Sequence, residues 1–326
     1  MTNSNKPSRI GVLTSGGDAP GMNAVIRAIV RTAGFHGASV LGIRRGYSGL
    51  IGSDMEELSS RSVDRILTAG GTMLYTARSE EMFTEAGIKK AASTCKHMGI
   101  DGLVIIGGDG SFKGALKLAQ QGVAVIGVPA TIDNDIACTD YSIGFDTACN
   151  TALECVDKLR DTMQSHERCS VVELMGRRAG HLALHVGVAA GATCILLPER
   201  PVNVELDVIE PIRMGRLRGR HHHLIIVAEG YGSAQDIANK VETYTGIDAR
   251  VTILGHIQRG GSPTAQDRVI ATQMGYHATE LLLAGQSGRV VISKDGDVMD
   301  CDMETGLAQK KDLCQSLFEA AQRVTT

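Results

Sequence analysis

Val123-Ala124-Val125-Ile126-Gly127-Val128-Pro129-Ala130-Thr131-Ile132-Asp133-Asn134-Asp135 is the stretch from which the fold is read. Its first half is apolar, too short for a lone helix and bounded by Gly122 and Pro129, so it reads as a buried strand. Thr131, Asp133 and Asp135 then follow directly on the strand's carboxyl end. In an open parallel sheet that edge is where ligands bind, because neighbouring loops diverge there. An Asx-rich turn would use the same residue types without any site. A second loop of this kind lies upstream, where Leu103-Val104-Ile105-Ile106 runs into Gly107-Gly108-Asp109-Gly110-Ser111 and a helical stretch. Two acid-bearing strand ends in succession point to one site.

Outward from this pair, strands and helices alternate. Arg9 to Thr14 is a strand that breaks at Ser15-Gly16-Gly17-Asp18-Ala19-Pro20-Gly21, and helical periodicity follows from Met22 to Thr32. Glycines let backbone approach a phosphate, and a helix N-terminus attracts anions. The spacing matches neither GxGxxG nor the Walker loop, and a structural turn is the other reading. A strand is expected at Val40–Ile43, a short helix at Arg61–Leu67, an extended piece from Thr72 to Thr76 leading to Arg78, and a helix at Glu85–His97. After Asp135 the alternation resumes with a helix from Thr147 to Met163 and a strand from Ser170 to Leu174 that ends at Met175-Gly176-Arg177. The strand Cys194–Leu197, a helical segment containing Pro211, the basic run Arg216-Leu217-Arg218-Gly219-Arg220 and the strand Leu224–Val227 come next, with Glu229 just beyond. Arg250–Leu254 runs into Gly255-His256-Ile257-Gln258-Arg259-Gly260-Gly261. A helix from Thr264 to Leu283, a hairpin turning at Asp295-Gly296 and a helix from Leu307 to Arg323 close the chain. The pattern predicts an α/β protein of two similar lobes, each with a mainly parallel sheet flanked by helices, and an active site in the cleft between them.

The 326 residues, 43% hydrophobic, allow two domains with a sizeable core. A formal charge of -3 is too balanced for a nucleic-acid or membrane-surface footprint, so neither partner is expected. Met1 to Ser8 is polar, no apolar run reaches spanning length, and a cytoplasmic location is expected. The 8 cysteines form no CxxC pair and read as reduced packing residues. In His221-His222-His223 adjacent side chains on a strand alternate faces, which argues against one metal ion and for a solvated or phosphate-facing run.

One group of strand-end residues, Gly16, Gly17, Arg78, Gly108, Asp109, Gly110 and Ser111, is an inventory for a polyphosphate and magnesium. Mg²⁺ binds through one or two carboxylates plus substrate phosphates, so Asp109 suffices. A second group, Arg168, Arg177, Arg250, His256 and Arg259, suits another phosphate held by forked contacts. Any one of these arginines alone reads as a surface salt bridge. Thr131, Asp133 and Asp135 lie between, and phosphoryl transfer needs a carboxylate to accept the hydroxyl proton.

Taken together these motifs resemble the bacterial ATP-dependent 6-phosphofructokinases from Ile10 to about Leu283: Ser15 to Asn23, Gly107 to Ser111, Thr131 to Asp135, Met175 to Arg177 and Gly255 to Gly261 all look like signature stretches of that family. The resemblance implies transfer of the ATP γ-phosphoryl group to the 1-hydroxyl of fructose 6-phosphate, in a homotetramer. It implies an ATP-binding lobe of residues 1–142 and 256–306, and a fructose 6-phosphate lobe of 143–255 and 307–326. Gly17, Arg78 and Gly108 to Ser111, Gly110 included, would hold ATP, with Asp109 on Mg²⁺. Asp133 would be the general base, Thr131 and Ile132 would sit beside it, and Arg177, with Arg78, would stabilise the transferring phosphoryl. Met175, Gly176, Glu229, His256, Ile257, Gln258 and Arg259 would hold the sugar phosphate. Arg168 and Arg250 would reach into a neighbouring subunit's site.

Arg27, Arg31, Arg160, Arg218 and Arg220 match the family's cationic effector pocket for ADP or phosphoenolpyruvate. Four positions depart from the well-studied members: Ser79 replaces an aromatic, Phe83 an arginine, Ala130 a glycine and Thr193 a glutamate. A pyrophosphate-dependent relative would carry an acid at Gly110 and a lysine at Ala130. A dinucleotide-binding dehydrogenase would need the absent GxGxxG. An inactive regulatory subunit would lack one of Asp109, Asp133 or Arg177, and none is missing.

Overall fold

The computed structural model describes residues 7–324; residues 1–6, which include most of the polar N-terminal stretch noted above, and 325–326 lie outside the described residues. In chain order the elements are β1 (Arg9–Ser15), α1 (Met22–Phe35), β2 (Ser39–Ile43), α2 (Gly46–Gly52), β3 (Met55–Leu58), α3 (Glu85–His97), β4 (Gly102–Gly107), α4 (Asp109–Ala119) and β5 (Ala124–Pro129). They continue with α5 (Phe145–Ser165), β6 (Cys169–Leu174), α6 (His181–Ala189), β7 (Cys194–Leu196), α7 (Glu210–Leu217), β8 (His223–Ala228), α8 (Ala234–Thr245) and β9 (Ala249–Ile253). The last are α9 (Ala265–Leu283), β10 (Arg289–Lys294), β11 (Asp297–Asp302), α10 (Met303–Leu307) and α11 (Gln315–Val324).

These form two compact units. Met1–Thr131, Ile136–Asp146 and Arg259–Lys311 make the first; Ile132–Asp135, Thr147–Gln258 and Asp312–Thr326 make the second. The first holds a seven-stranded sheet in the order β11-β10-β5-β4-β1-β2-β3, antiparallel only at its two outer pairs. β4 and β5 are almost entirely buried, which explains their unbroken apolar runs: helices cover both faces of a parallel sheet. The chain leaves β1 on one side for β2 and returns on the other for β4, so strand order reverses between β1 and β4. The second unit holds a four-stranded parallel sheet, β7-β8-β6-β9, over a core that includes Val171, Ile225, Val227, Ile209 and Val241. Its order reverses between β6 and β9.

Three expectations differ locally. Arg61–Leu67 is a run of turns, because the Ser59 and Ser62 hydroxyls bond the backbone amides of each other's residues and compete with helical bonds. Thr72–Thr76 is also turned, with Tyr75 at φ 56. The closing helix expected from Leu307 forms only from Gln315: Leu307 ends α10, and the chain between is non-helical past Lys311, whose Nζ donates to Thr139 O (2.7 Å). The hairpin turn forms as read, with positive φ at Asp295 (53) and Gly296 (90). The cysteines are free thiols among the described residues. His223 corrects the solvated reading of its run: it is fully buried in β8, and burial beside Arg220, His222 and Arg216 lowers its pKa to about 4.

Candidate active site

In the first unit the loops after β1, β4 and β5 lie side by side at one edge, because Ser15 pairs with Gly107 and Gly107 with Pro129. This is the point of strand-order reversal, where an α/β sheet opens its ligand crevice. Close backbone packing fixes the loops. A Cβ on Gly107 would stand 2.4 Å from Ser15 O, so only glycine fits. Ser111, buried at the start of α4, donates from its hydroxyl to Ser15 O (3.0 Å), and Tyr47 OH donates to Ser111 O (2.5 Å). Asp109 is half-buried in the first turn of α4, beside the helix's free N–H groups, while Gly110 is exposed. Gly16 adopts φ 91, and Thr76 Oγ1 donates to its carbonyl (2.7 Å), which ties the segment leading to exposed Arg78 to the glycine loop.

Arg259 also belongs to this unit. Its Nη1 donates to Asp18 O (3.1 Å) and lies 2.3 Å from where a Gly17 Cβ would be, so the glycine makes room for a guanidinium. A buried carboxylate supports the far side of β5. Asp267, with no exposed surface, accepts from Tyr141 OH (2.6 Å) and Gly144 N–H (2.7 Å), and Ser142 Oγ in that same loop donates to Thr131 O (2.8 Å). Burial, with the Asp267 charge beside it, pushes the Tyr141 pKa up, which keeps the phenol a donor. None of Asp267, Tyr141 and Ser142 stood out in the sequence, since their spacing is set only by tertiary packing.

In the second unit Asp133 is 7% exposed and is followed by Asn134 in the left-handed region (φ 50). The loops after β6, β8 and β9 meet at the carboxyl edge of the four-stranded sheet. Gly176 and Arg177 N–H both donate to Glu229 Oε1 (3.1 and 2.5 Å), and Met175 N–H donates to Gln258 Oε1 (3.3 Å). Gln258 has no exposed surface and donates to Gly255 O (3.0 Å), so it positions both loops. Gly176 at φ 141 and Arg177 at φ 59 form a tight turn that leaves the Arg177 side chain in solvent; His256 and Ile257 are exposed as well. Such non-glycine positive φ is held only where surrounding contacts over-determine it.

Arg168 and Arg250 are elsewhere. Arg168 precedes β6 and Arg250 opens β9, at the amino edge, so the length of β6 separates them from Arg177, roughly 20 Å at the usual rise of a strand. Asp248 lies between the two, 2.7 Å from Arg168 Nε and 3.1 Å from Arg250 Nη2. Arg218 and Arg220 line one cavity with Thr193, whose hydroxyl accepts from Leu224 N–H (3.3 Å). Arg160 donates to Ala190 O. In the first unit Arg27 and Arg31 lie on α1, and Arg31 pairs with Asp64 (2.9 Å).

The residues suit a magnesium ion that arrives with a nucleotide. Among the described residues no group of three or more His, Cys, Asp or Glu could cage a metal, while Asp109 presents a carboxylate at a glycine loop open enough for phosphates. No described helix is long and apolar enough to cross a membrane.

Comparison with known proteins agrees with this geometry. The phosphofructokinase family pattern matches residues 9–282. An ATP-dependent 6-phosphofructokinase of Clostridium botulinum (strain Loch Maree / Type A3) is 54% identical over 312 residues, 96% of this chain and 98% of that protein. One from Brevibacillus brevis (strain 47) is 51% identical over 317 residues, 97% of this chain and 99% of that protein. The solved phosphofructokinase of Saccharomyces cerevisiae is similar with a TM-score of 0.88 at 34% identity, covering 98% of this chain and 47% of the longer yeast chain.

Proposed function

The chain belongs to the phosphofructokinase family, and from that premise we infer its reaction: ATP-dependent phosphorylation of fructose 6-phosphate in glycolysis, giving fructose 1,6-bisphosphate and ADP. The observation that supports this most directly is the gathering of two glycine-rich loops, one bearing Asp109, where the first sheet's strand order reverses. Gly17, Gly108, Gly110, Ser111 and Arg78 hold the nucleotide, with backbone N–H groups at the start of α4 facing its phosphates. Asp109 would hold Mg²⁺, which would offset the negative charge of the nucleotide's phosphates.

Asp133 accepts the proton of the sugar 1-hydroxyl as that oxygen attacks the γ-phosphorus. The bond from that phosphorus to the β,γ-bridging oxygen breaks, and ADP leaves. Thr131 and Ile132 orient the acid. Arg177, with Arg78, stabilises the charge spread over the transferring oxygens. The sugar phosphate is held by Met175, Gly176, Glu229, His256, Ile257, Gln258 and Arg259, on loops that Glu229 and Gln258 already brace. Arg168 and Arg250, at the opposite edge of their sheet, act in the site of a neighbouring copy, so a homotetramer is the working form. Arg160, Arg218 and Arg220 of the second unit serve an anionic effector, and the family resemblance adds Arg27 and Arg31. With Thr193 uncharged and bonded to Leu224, that site has no carboxylate at this position for the metal of ADP and favours phosphoenolpyruvate. The enzyme works in the cytoplasm.

A coupled assay with fructose 6-phosphate tests the reading. Turnover with Mg-ATP and none with pyrophosphate is expected; turnover with pyrophosphate instead would overturn the donor assignment.

A further inference from the structure

A cavity of about 680 Å³ opens in the second unit among the residues before β8 and the last helix, α11. Pro201, Val202, Leu206, Met214, Phe318 and Ala321 give it an apolar wall, while Arg200, Arg218 and Arg220 bring three positive charges. Two acids also line it, Asp207 and Glu210, and Asp207 is engaged by Asn203 N–H (2.7 Å). The lining is therefore net cationic beside an apolar surface.

Its size lies within the roughly 300–1,000 Å³ usual for small-molecule sites, and a phosphate-sized anion would leave the apolar wall uncovered. In the single chain that wall is open to solvent: Leu206 is 67% exposed and Met214 39%. The cationic part is already ordered. Arg200 donates to Gln315 Oε1, and its guanidinium lies 4.7 Å from the Phe318 ring centroid, which fixes α11 beside the opening. The Arg220 backbone N–H donates to Gly215 O (2.9 Å), which closes the end of α7. Leu206 and Asp207 lie in a π-helical turn, Glu205–Ile209, a wide backbone form that recurs at ligand sites. Gln322 is the one amide side chain in the lining.

We propose that this cavity binds an amphipathic anion, with a phosphate or carboxylate head on Arg218 and Arg220 and an apolar body against Leu206, Met214 and Phe318. The head position shares its arginines with the effector site proposed above and rests on that reading, whereas the apolar body is a separate assignment. Ligand binding covers the exposed Leu206 and locks α11 onto the second unit.

The chain has no tryptophan, so Phe318→Trp provides a single reporter in the wall. Titration of the tetramer with octyl phosphate should give a saturable blue shift of its emission, and inorganic phosphate or octanol should need at least about tenfold more ligand. Adding Leu206→Glu, at an exposed position, should weaken octyl phosphate about tenfold or more through lost apolar contact and like charge. Calorimetric titration of the wild type and of Leu206→Glu gives the same comparison should the tryptophan variant fold poorly. No saturable octyl phosphate binding, or binding equal in Leu206→Glu, overturns the proposal. Inhibition by phosphoenolpyruvate in that case would leave the effector reading intact. Octyl phosphate binding in an enzyme insensitive to phosphoenolpyruvate would support the cavity and reject the effector.

Discussion

At the carboxyl edge of the β7-β8-β6-β9 sheet, the polar residues are spent on the protein's own backbone: Glu229 and Gln258 accept three loop N–H groups, and Gln258 is fully buried. At the amino edge of the same sheet, Arg168 and Arg250 share the Asp248 carboxylate with side chains 35% and 65% exposed. The first edge is a rigid cradle completed from within. The second is a pair of cations held near one another by a solvent-facing acid, an arrangement that contributes little to stability and leaves both forks available. A rigid edge can orient a substrate, whereas an exposed cationic edge suits a phosphate brought by another copy.

If carboxyl edges carry the chemistry, the largest effect comes from Asp133. Asp133→Asn should lower kcat by roughly 10² to 10⁴ with the KM for fructose 6-phosphate nearly unchanged, because an amide cannot accept the proton. Steady-state kinetics checks this, and a variant with near-normal kcat would remove Asp133 from the reaction.

The amino edge should also be the acid-sensitive one. His223 titrates near 6.5 in an unfolded chain and about 4 here, so below pH 6.5 the unfolded chain binds the proton first and stability falls until about pH 4. The loss is on the order of 3 kcal/mol, and His223→Phe should flatten it in Tm measured against pH. An unchanged acid limb in that variant would place the titration elsewhere.

Arg250→Ala should raise the KM for fructose 6-phosphate roughly 10- to 150-fold with kcat largely kept, the range for loss of a charge-assisted contact of about 1.5–3 kcal/mol. A kcat effect with normal KM would instead place Arg250 on the transferring group. The smallest change is Glu229→Gln, which keeps an acceptor for the Gly176 and Arg177 amides but loses its charge, and should cost about fivefold in kcat/KM. A much larger loss would mean that the charge on Glu229, and not its acceptor geometry alone, is needed to hold the sugar phosphate.

Strand ends were legible because parallel strands buried on both faces read as apolar runs that stop at glycine or an acid, as at Ile106-Gly107 and Val128-Pro129. Grouping Arg168 and Arg250 with Arg177 for one phosphate overlooked that both precede the bulk of their strands while Arg177 follows β6. The bracing was not legible. Glu229 and Gln258 carry ligand-type side chains, and nothing in their spacing says that they bond to Met175, Gly176 and Arg177 amides. Asp267 lies 123 residues from Gly144, whose amide it accepts, and reads locally as an ordinary first-turn acid of a helix. Arg61–Leu67 misled because helical periodicity was outweighed by the reciprocal bonds of Ser59 and Ser62.

Mixing subunits tests directly whether the amino edge serves a neighbour's carboxyl edge. Arg250→Ala and Asp133→Asn enzymes, each nearly inactive at low fructose 6-phosphate, are dissociated together and reassembled into verified hybrids. A site with an intact Asp133 can then receive an intact Arg250 from the adjoining copy, so activity should rise well above the mean of the two parents. Hybrids no more active than that mean would contradict the account and return Arg250 to its own subunit.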